Sequence, residues 1–357
     1  MKKILTIIGA RPQFIKAAAV SRAIARQKGL AEVIVHTGQH FDQNMSQIFF
    51  EQMGIPRPDY NLDIHSMSHG AMTGKMLEKL EAVMLKEKPA AVMVYGDTNS
   101  TLAGALAASK LHIPLAHVEA GLRSHNMKMP EEINRILTDR VSSYLFCPTP
   151  VAIENLKKEG YEGFNARMLL TGDVMYDACL FFSQKSQAPE IPELPENFLV
   201  ATVHRAENTD EPENLSSIVA ALNALSEKEP VVFPIHPRTR KLIGKKNIPS
   251  LSENVMVTEP MGYLEMIHLL KHCRMVLTDS GGLQKEAYFF QKPCITLREE
   301  TEWTELVDAG LNKLCGSNKS RIQEAYDHFS KQKITFREGL YGDGNAAELI
   351  AAVLAEN

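Results

Sequence analysis

The chain has 357 residues, 44% hydrophobic and 23% charged, a balance that suits an ordinary globular protein of about two domains. Its formal net charge of -4, from 39 basic against 43 acidic residues, excludes a general nucleic-acid binder, which needs a positive excess, but leaves room for a basic pocket for a small phosphate ligand. Five scattered cysteines (Cys147, Cys179, Cys273, Cys294 and Cys315), with no CxxC pair, argue against a disulfide framework and a zinc site and read as small buried hydrophobes in a reducing compartment.

From the N-terminus, Met1-Lys2-Lys3-Ile4 leads into an apolar run that stops at Ile8, before Gly9-Ala10-Arg11-Pro12; this predicts a buried strand rather than a signal peptide. No stretch reaches the ~18 apolar residues of a membrane span, so a soluble, cytoplasmic chain with no membrane partner is expected. Strand-length apolar runs follow at 4–8, 32–36, 90–95, 114–118 and 144–147, and again at 198–203, 231–235, 254–257, 275–278 and 294–297. Helical patterns alternate with them, as at Leu264, Ile267, His268 and Lys271. Short continuous apolar strands followed by helices predict βαβ units in parallel sheets. The series breaks at 186–195, where Pro189, Pro192 and Pro195 can neither continue a helix nor join a central strand. The prediction is therefore an α/β chain of two doubly wound domains with a cleft between them, joined by a linker around 184–197.

Ligands of such sheets collect beyond the carboxyl ends of the strands. The first strand is followed by Gly9-Ala10-Arg11-Pro12-Gln13-Phe14-Ile15-Lys16, where a helix N-terminus with Arg11 and Lys16 would attract an anion. The plain alternative is an ordinary turn with a surface Arg and Lys. No GxGxxG is present, so a dinucleotide fingerprint is lacking. Gly96-Asp97-Thr98, His117-Val118-Glu119 and Pro130-Glu131-Glu132 place carboxylates at the same sheet edge. Asp97 alone could be a helix cap; several acids converging in a cleft would repel one another, the arrangement that makes acid–base partners. In the second half His204-Arg205, His236-Pro237-Arg238 and Arg298 follow strands, and Asp279-Ser280-Gly281-Gly282 opens a helix whose bare N–H groups suit a diphosphate. Glu286, four residues into that helix, can accept from two ribose hydroxyls. No His/Cys/Asp cluster has metal-ligand spacing.

The segments 9–16, 96–98, 117–123 (His-Val-Glu-Ala-Gly-Leu-Arg), 130–135 (Pro-Glu-Glu-Ile-Asn-Arg), 279–282 and Tyr341-Gly342-Asp343-Gly344 resemble the non-hydrolysing UDP-N-acetylglucosamine 2-epimerases nearly end to end. The resemblance implies two Rossmann-like domains in a GT-B arrangement, residues 1–170 with a returning C-terminal helix at 345–357, and residues 171–344. It implies acid–base roles for Asp97, Glu119 and Glu131, and UDP contacts by Arg11, His204, Ser280, Gly281, Gly282 and Glu286, with a uracil contact near Pro260 to Tyr263. Arg135 lies inside the shared 130–135 motif and joins Lys16, His236 and Arg298 as an expected substrate or UDP contact, and His204 is also expected in the catalytic set. No NAD, other cofactor or metal is implied, and a homodimer is expected.

The chain departs from the family at Glu302-Trp303-Thr304-Glu305, where members specific for UDP-N-acetylglucosamine often carry Glu-Arg-Pro-Glu, and at Ser124-His125-Asn126-Met127-Lys128-Met129. These features resemble a subgroup acting on UDP-2,3-diacetamido-2,3-dideoxyglucuronate, a surface-polysaccharide precursor, whose uronate would need a cation such as Lys128 or Arg123. Residues 39–43 match the family's regulatory region only in part. The expected reaction is inversion of C-2 by anti-elimination and re-addition of UDP through a glycal. The alternatives are a GT-B glycosyltransferase, a catalytically silent UDP-sugar sensor and a hydrolysing epimerase.

Overall fold

The computed structural model describes residues 1–39, 54, 56–245 and 247–356, with the backbone alone at Arg11. The side-chain role expected of Arg11, and the stretch from His40 to Gln43, lie outside the described residues. The chain forms two compact units, Met1–Leu180 with Gly339–Asn357, and Phe181–Glu338.

Unit 1 runs β1 (Lys2–Ile8), α1 (Arg11–Arg26), β2 (Leu30–His36), β3 (Tyr60–Asn61), α2 (His69–Glu87), β4 (Ala91–Tyr95), α3 (Asn99–Lys110), β5 (Leu115–Val118), α4 (Pro130–Val141), β6 (Tyr144–Cys147), α5 (Pro150–Lys158), β7 (Arg167–Leu170) and α6 (Val174–Ser183). Its described strands form a parallel sheet in the order β3-β2-β1-β4-β5-β6-β7. Strands buried on both faces must be apolar throughout, and β4 (Ala-Val-Met-Val-Tyr) is buried at every position. Leu5, Ile7, Val92 and Val94 pack with Met76 and Leu80 of α2 and with the alanines of α3.

Unit 2 runs β8 (Leu199–Thr202), α7 (Ala206–Thr209), α8 (Pro212–Ser226), β9 (Val231–Pro234), α9 (Pro237–Arg240), β10 (Val255–Thr258), α10 (Tyr263–His272), β11 (Met275–Thr278), α11 (Gly281–Phe289), β12 (Cys294–Thr296), α12 (Thr304–Asp308), β13 (Asn312–Leu314) and α13 (Lys319–Lys331). Its sheet is also parallel, in the order β10-β9-β8-β11-β12-β13. In each unit the order reverses beside the first strand, between β1 and β4 and between β8 and β11, which is where a doubly wound sheet opens a crevice at its carboxyl edge.

Both Rossmann-like units agree with the predicted fold class, and each predicted strand is present to within two residues at either end. The sequence pattern missed β3, β7 and β13. These are short strands near the sheet margins, and β7 exposes both of its ends, so none carries a continuous apolar run. The proline-rich 186–195 stretch forms neither helix nor strand, and Ile191 and Leu194 pack onto the unit 2 core. All five cysteines are free and buried.

The C-terminal helix (Ala346–Glu356) packs on α1 within unit 1. Lys2 Nζ donates to the Ala355 carbonyl at 2.6 Å, and the Ala347 N–H donates to Asp177 Oδ1 at 2.8 Å. Asp177 Oδ2 is buried with no hydrogen-bond partner among the described residues. Burial, only partly offset by the Ala347 and Ala346 N–H groups, raises the Asp177 carboxyl to about 6. A carboxyl whose folded pKa lies above its unfolded one favours the fold at low pH and loses that contribution as pH rises through the folded value. Asp177→Asn is therefore expected to lose less stability than wild type between pH 4 and pH 7, by roughly 2–3 kcal/mol. Urea denaturation of both proteins at the two pH values checks this.

Candidate active site

At the unit 1 crevice the loops after β1 and β4 are sewn together by one buried side chain. Gln13 Oε1 accepts from the Gly9 and Ala10 N–H groups at 2.8 and 3.0 Å. Its Nε2 donates to the Tyr95 carbonyl at 2.8 Å and to the Thr98 and Thr101 hydroxyls at 3.0 and 2.9 Å. Gly9 is required by this closeness, since a Cβ there would lie 2.1 Å from Thr37 Oγ1 and 2.2 Å from Ser100 Oγ. Gln13 thus occupies the amides of Gly9 and Ala10, just ahead of the helix N-terminus.

Glu119 and Asp97 at this edge are each matched by a cation rather than set against one another. The Lys16 ammonium, buried on α1, pairs with the buried Glu119 carboxylate at the end of β5. Glu119 sits at φ +74°, a left-handed conformation that is costly for a side-chain-bearing residue. Its N–H and that of Ala120 both donate to the Phe146 carbonyl, at 3.1 and 3.0 Å, which holds the turn. Gly96, at φ +60°, supplies the matching gap: a Cβ there would lie 3.2 Å from Glu119 Oε2 and 3.3 Å from Lys16 Nζ. The neighbouring Asp97 carboxylate accepts from Arg135 Nε and Nη2 at 3.0 and 2.7 Å, and its carbonyl accepts from Asn134 Nδ2 at 2.8 Å.

The two glutamates that open α4 have divided tasks. Glu132 is buried; it accepts from the Ser124 and His125 N–H groups and, at 2.7 Å, from Arg135 Nη1. Burial would raise its carboxyl, but those donors together bring it below the ordinary range. Glu131 is half-buried, one helical turn before Arg135, and its carboxylate has no hydrogen bond or ion pair to another described residue. Arg123 is buried and spent within the fold, bonded to Asp139 at 2.7 Å and in a fork to Glu159 at 2.7 and 2.8 Å. It is therefore not open to a substrate carboxylate, which corrects one sequence expectation. Lys128 is exposed.

In unit 2 the Asp279 carboxylate, fully buried at the end of β11, organises the loop after β8. It accepts from the His204 and Arg205 N–H groups, each at 2.9 Å, from Asn208 Nδ2 at 3.1 Å, and from His204 Nδ1 at 3.0 Å. Burial works to raise this carboxyl, but His204 and the two N–H groups outweigh it and lower it. With Nδ1 engaged, the half-exposed His204 ring has Nε2 as its remaining nitrogen. His236 lies 6.0 Å away between ring centroids, and burial, His204 and Arg238 lower its pKa.

Ser280 caps α11, its Oγ accepting from the Leu283 N–H, and the exposed Gly282 follows the buried Gly281. Glu286 is buried on the same helix, and Tyr263 opens α10 with its ring edge-on to Phe182 at 5.8 Å. Arg298 is buried, with Nη1 donating to Glu302 at 2.9 Å and Nε 3.5 Å from Glu207 Oε1, while Nη2 has no hydrogen-bond partner among the described residues. Beside it Lys285 Nζ lies 4.0 Å from the centroid of the Trp303 ring. The sequence reading missed Gln13, Glu132, Asp139 and Asp279 as organisers. Asp279 stood in view, next to Ser280-Gly281-Gly282 and at a strand end, and that position was the available signal. Among the described residues no group of three or more His, Cys, Asp or Glu is arranged to hold a metal.

Residues 22–355 match the family model described as UDP-N-acetylglucosamine 2-epimerase. The chain is 60% identical to the UDP-2,3-diacetamido-2,3-dideoxy-D-glucuronate 2-epimerase of Pseudomonas aeruginosa, over 99% of each chain. It is 43% identical to the UDP-N-acetylglucosamine 2-epimerase of Methanocaldococcus jannaschii, over 99% of this chain and 98% of that one. The crystal structure of that archaeal UDP-GlcNAc 2-epimerase in complex with UDP-GlcNAc and UDP superposes with a TM-score of 0.91, at 42% identity and over 99% of this chain and 100% of that one.

The Lys16–Glu119 pair makes a direct prediction. Lys16→Met removes the cation paired with a buried carboxylate and is expected to cost about 3–5 kcal/mol, whereas Lys16→Met with Glu119→Gln recovers most of the loss. Urea midpoints of wild type, single and double variants measure it.

Proposed function

The chain belongs to the UDP-N-acetylglucosamine 2-epimerase family, and from that premise we propose that it inverts C-2 of UDP-2,3-diacetamido-2,3-dideoxyglucuronate by removing and re-adding UDP. It is a UDP-sugar 2-epimerase, an isomerase. The observation that carries the mechanism is the placement of Asp97, Glu119 and Glu131 at the carboxyl edge of the unit 1 sheet, two of them fastened by cations and the third without one among the described residues.

The C-2 proton has no neighbouring carbonyl to acidify it. As the bond from C-1 to the UDP oxygen breaks, positive charge grows at C-1 and the C-2 proton becomes removable. A base takes that proton, UDP leaves with the bonding electrons, and the sugar becomes a glycal. UDP then adds back to C-1 while C-2 receives a proton on its other face. Asp97, Glu119 and Glu131 share these proton transfers, and positioned acid–base groups of this kind contribute ~10²–10⁴-fold. His204, oriented by Asp279, together with Arg11 and the amides of the Ser280-Gly281-Gly282 turn, steadies the charge on the departing diphosphate, each preorganised donor being worth roughly 3 kcal/mol. Arg298, whose buried Nη2 has no hydrogen-bond partner among the described residues, and Glu286 and Tyr263 serve the nucleotide. Lys16 and Arg135 hold the acids in place.

Two observations favour the diacetamido-uronate over UDP-N-acetylglucosamine. The 60% identical relative is named for that substrate, and Trp303 stands where an arginine is frequent in the members specific for UDP-N-acetylglucosamine. With Arg123 spent inside the fold, exposed Lys128 is the cation for the C-6 carboxylate. The reaction would supply a precursor of surface polysaccharide.

Enzyme offered each UDP-sugar in D₂O, followed by NMR, is expected to convert the diacetamido-uronate faster and to place deuterium at C-2 of the product. Retention of hydrogen there excludes the elimination. Asp97→Asn, Glu119→Gln and Glu131→Gln are each expected to lower kcat by at least ~10²-fold while the far-UV circular dichroism stays that of wild type. Wild-type turnover in all three would overturn the assignment.

A further inference from the structure

One buried group near the acids plays no part in the proposed chemistry, yet its surroundings prescribe its proton content. His117 lies in β5, fully buried. Its Nδ1 is 2.7 Å from Asp139 Oδ1 and its Nε2 is 2.7 Å from the Gly96 carbonyl oxygen. A carbonyl oxygen only accepts hydrogen bonds, and so does an ionised carboxylate. Neutral imidazole carries one N–H and would leave one of these contacts as two lone pairs face to face, away from water. Asp139 is held as a carboxylate from its other side, where Oδ2 accepts from the Gly121 N–H at 3.1 Å and from Arg123 Nη1 at 2.7 Å. Burial works to raise the Asp139 carboxyl, but His117 and Arg123 outweigh it and lower it.

We infer that His117 is a buried imidazolium, donating through one N–H to Asp139 and clamping the Gly96 carbonyl with the other, and that this clamp positions the Asp97 and Glu119 acids. The charges close: His117 and Arg123 are answered by Asp139 and Glu159, which Arg123 grips in a fork. Cys147 and Tyr161, which interact with Asp139 and Arg123, are both driven toward their neutral forms, first by burial. The clamp matters because of what Gly96 does. Its left-handed turn brings its Cα against Glu119 and Lys16, and Asp97 comes next. The turn is pinned at both carbonyls, Gly96 by His117 and Asp97 by Asn134. His117 is thus a positioning residue, and this second part rests on the acid–base reading of Asp97 and Glu119.

The test is ¹⁵N NMR of the histidine-labelled full chain, with His117→Gln identifying the resonances. Both ring nitrogens of His117 are expected to show N–H protons and protonated-type shifts; a single protonated nitrogen overturns the imidazolium. Asp139→Asn separates charge from contact. The asparagine oxygen can still serve Arg123 and Gly121 while its NH₂ donates to Nδ1, which leaves a neutral ring whose Nε2–H still meets Gly96. In that variant Nδ1 is expected to turn acceptor-type, and kcat to fall about 10–100-fold, as for a displaced catalytic group, with KM within about two-fold of wild type. Wild-type kcat in Asp139→Asn overturns the positioning role of the charge. If Asp139→Asn does not fold, His117→Gln, which offers Gly96 a single neutral donor, takes its place with the same expectation for kcat and KM. The ring spectrum does not depend on any turnover, so a failure of the epimerase reading leaves that result standing and the two failures are distinguishable.

Discussion

A carboxylate removed from water has to be met by a cation or by several N–H groups, and that requirement shapes the carboxyl edge of the unit 1 sheet. Glu119 meets Lys16, Asp97 meets Arg135, Glu132 meets Arg135 and two backbone amides, and Asp139 meets Arg123 and His117. The Lys16–Glu119 and Arg135–Asp97 pairs each fasten two crossovers of the sheet to one another, whereas Glu132–Arg135 and the bonds of Asp139 to His117 and Arg123 lie within the single crossover from β5 through α4. The acids are preorganised by these contacts rather than by mutual repulsion. That differs from the cluster of competing carboxylates that their strand-end positions suggested.

Unit 2 repeats the logic with the signs rearranged. A fully buried acid, Asp279, gathers the amides of His204 and Arg205 and turns the His204 ring. Buried Arg298 leans on Glu302, its Nε lies 3.5 Å from Glu207, and its Nη2 has no hydrogen-bond partner among the described residues. An unmatched buried donor is expensive to keep, and nucleotide phosphate or ribose oxygens are acceptors of the kind that would relieve it. Beside Arg298 the Lys285 ammonium stacks over the Trp303 indole.

Backbone conformation carries part of the design. Gly96 and Glu119 both take left-handed φ values at the ends of neighbouring strands. For Gly96 this is free of steric cost, and the absent Cβ leaves space for the Lys16–Glu119 pair. For Glu119 it is not, and a residue with a side chain stays there only because its surroundings over-determine the turn. The Phe146 carbonyl and the Lys16 ammonium are those surroundings.

Apolar runs such as Ala91–Tyr95 and Met275–Thr278 were legible as strands because a parallel sheet buries both faces and leaves no place for alternation. Their order then placed Asp97, Glu119, His204 and Ser280 at ligand-facing ends, since doubly wound sheets present their carboxyl edge to ligands. The motif resemblance added the chemistry. The local sequence does not encode which cation answers which acid. Lys16 and Glu119 are 103 positions apart, Arg135 and Asp97 are 38 apart, and a charge finds its partner only once the sheet has set the crossovers side by side. For the same reason Glu131 and Glu132, adjacent and alike in the chain, received different tasks: the helix turns one toward the 124–125 amides and Arg135 and leaves the other half-open. Long-range charge pairing and the facing of a side chain are properties of the assembled sheet, and only the tertiary structure decided them.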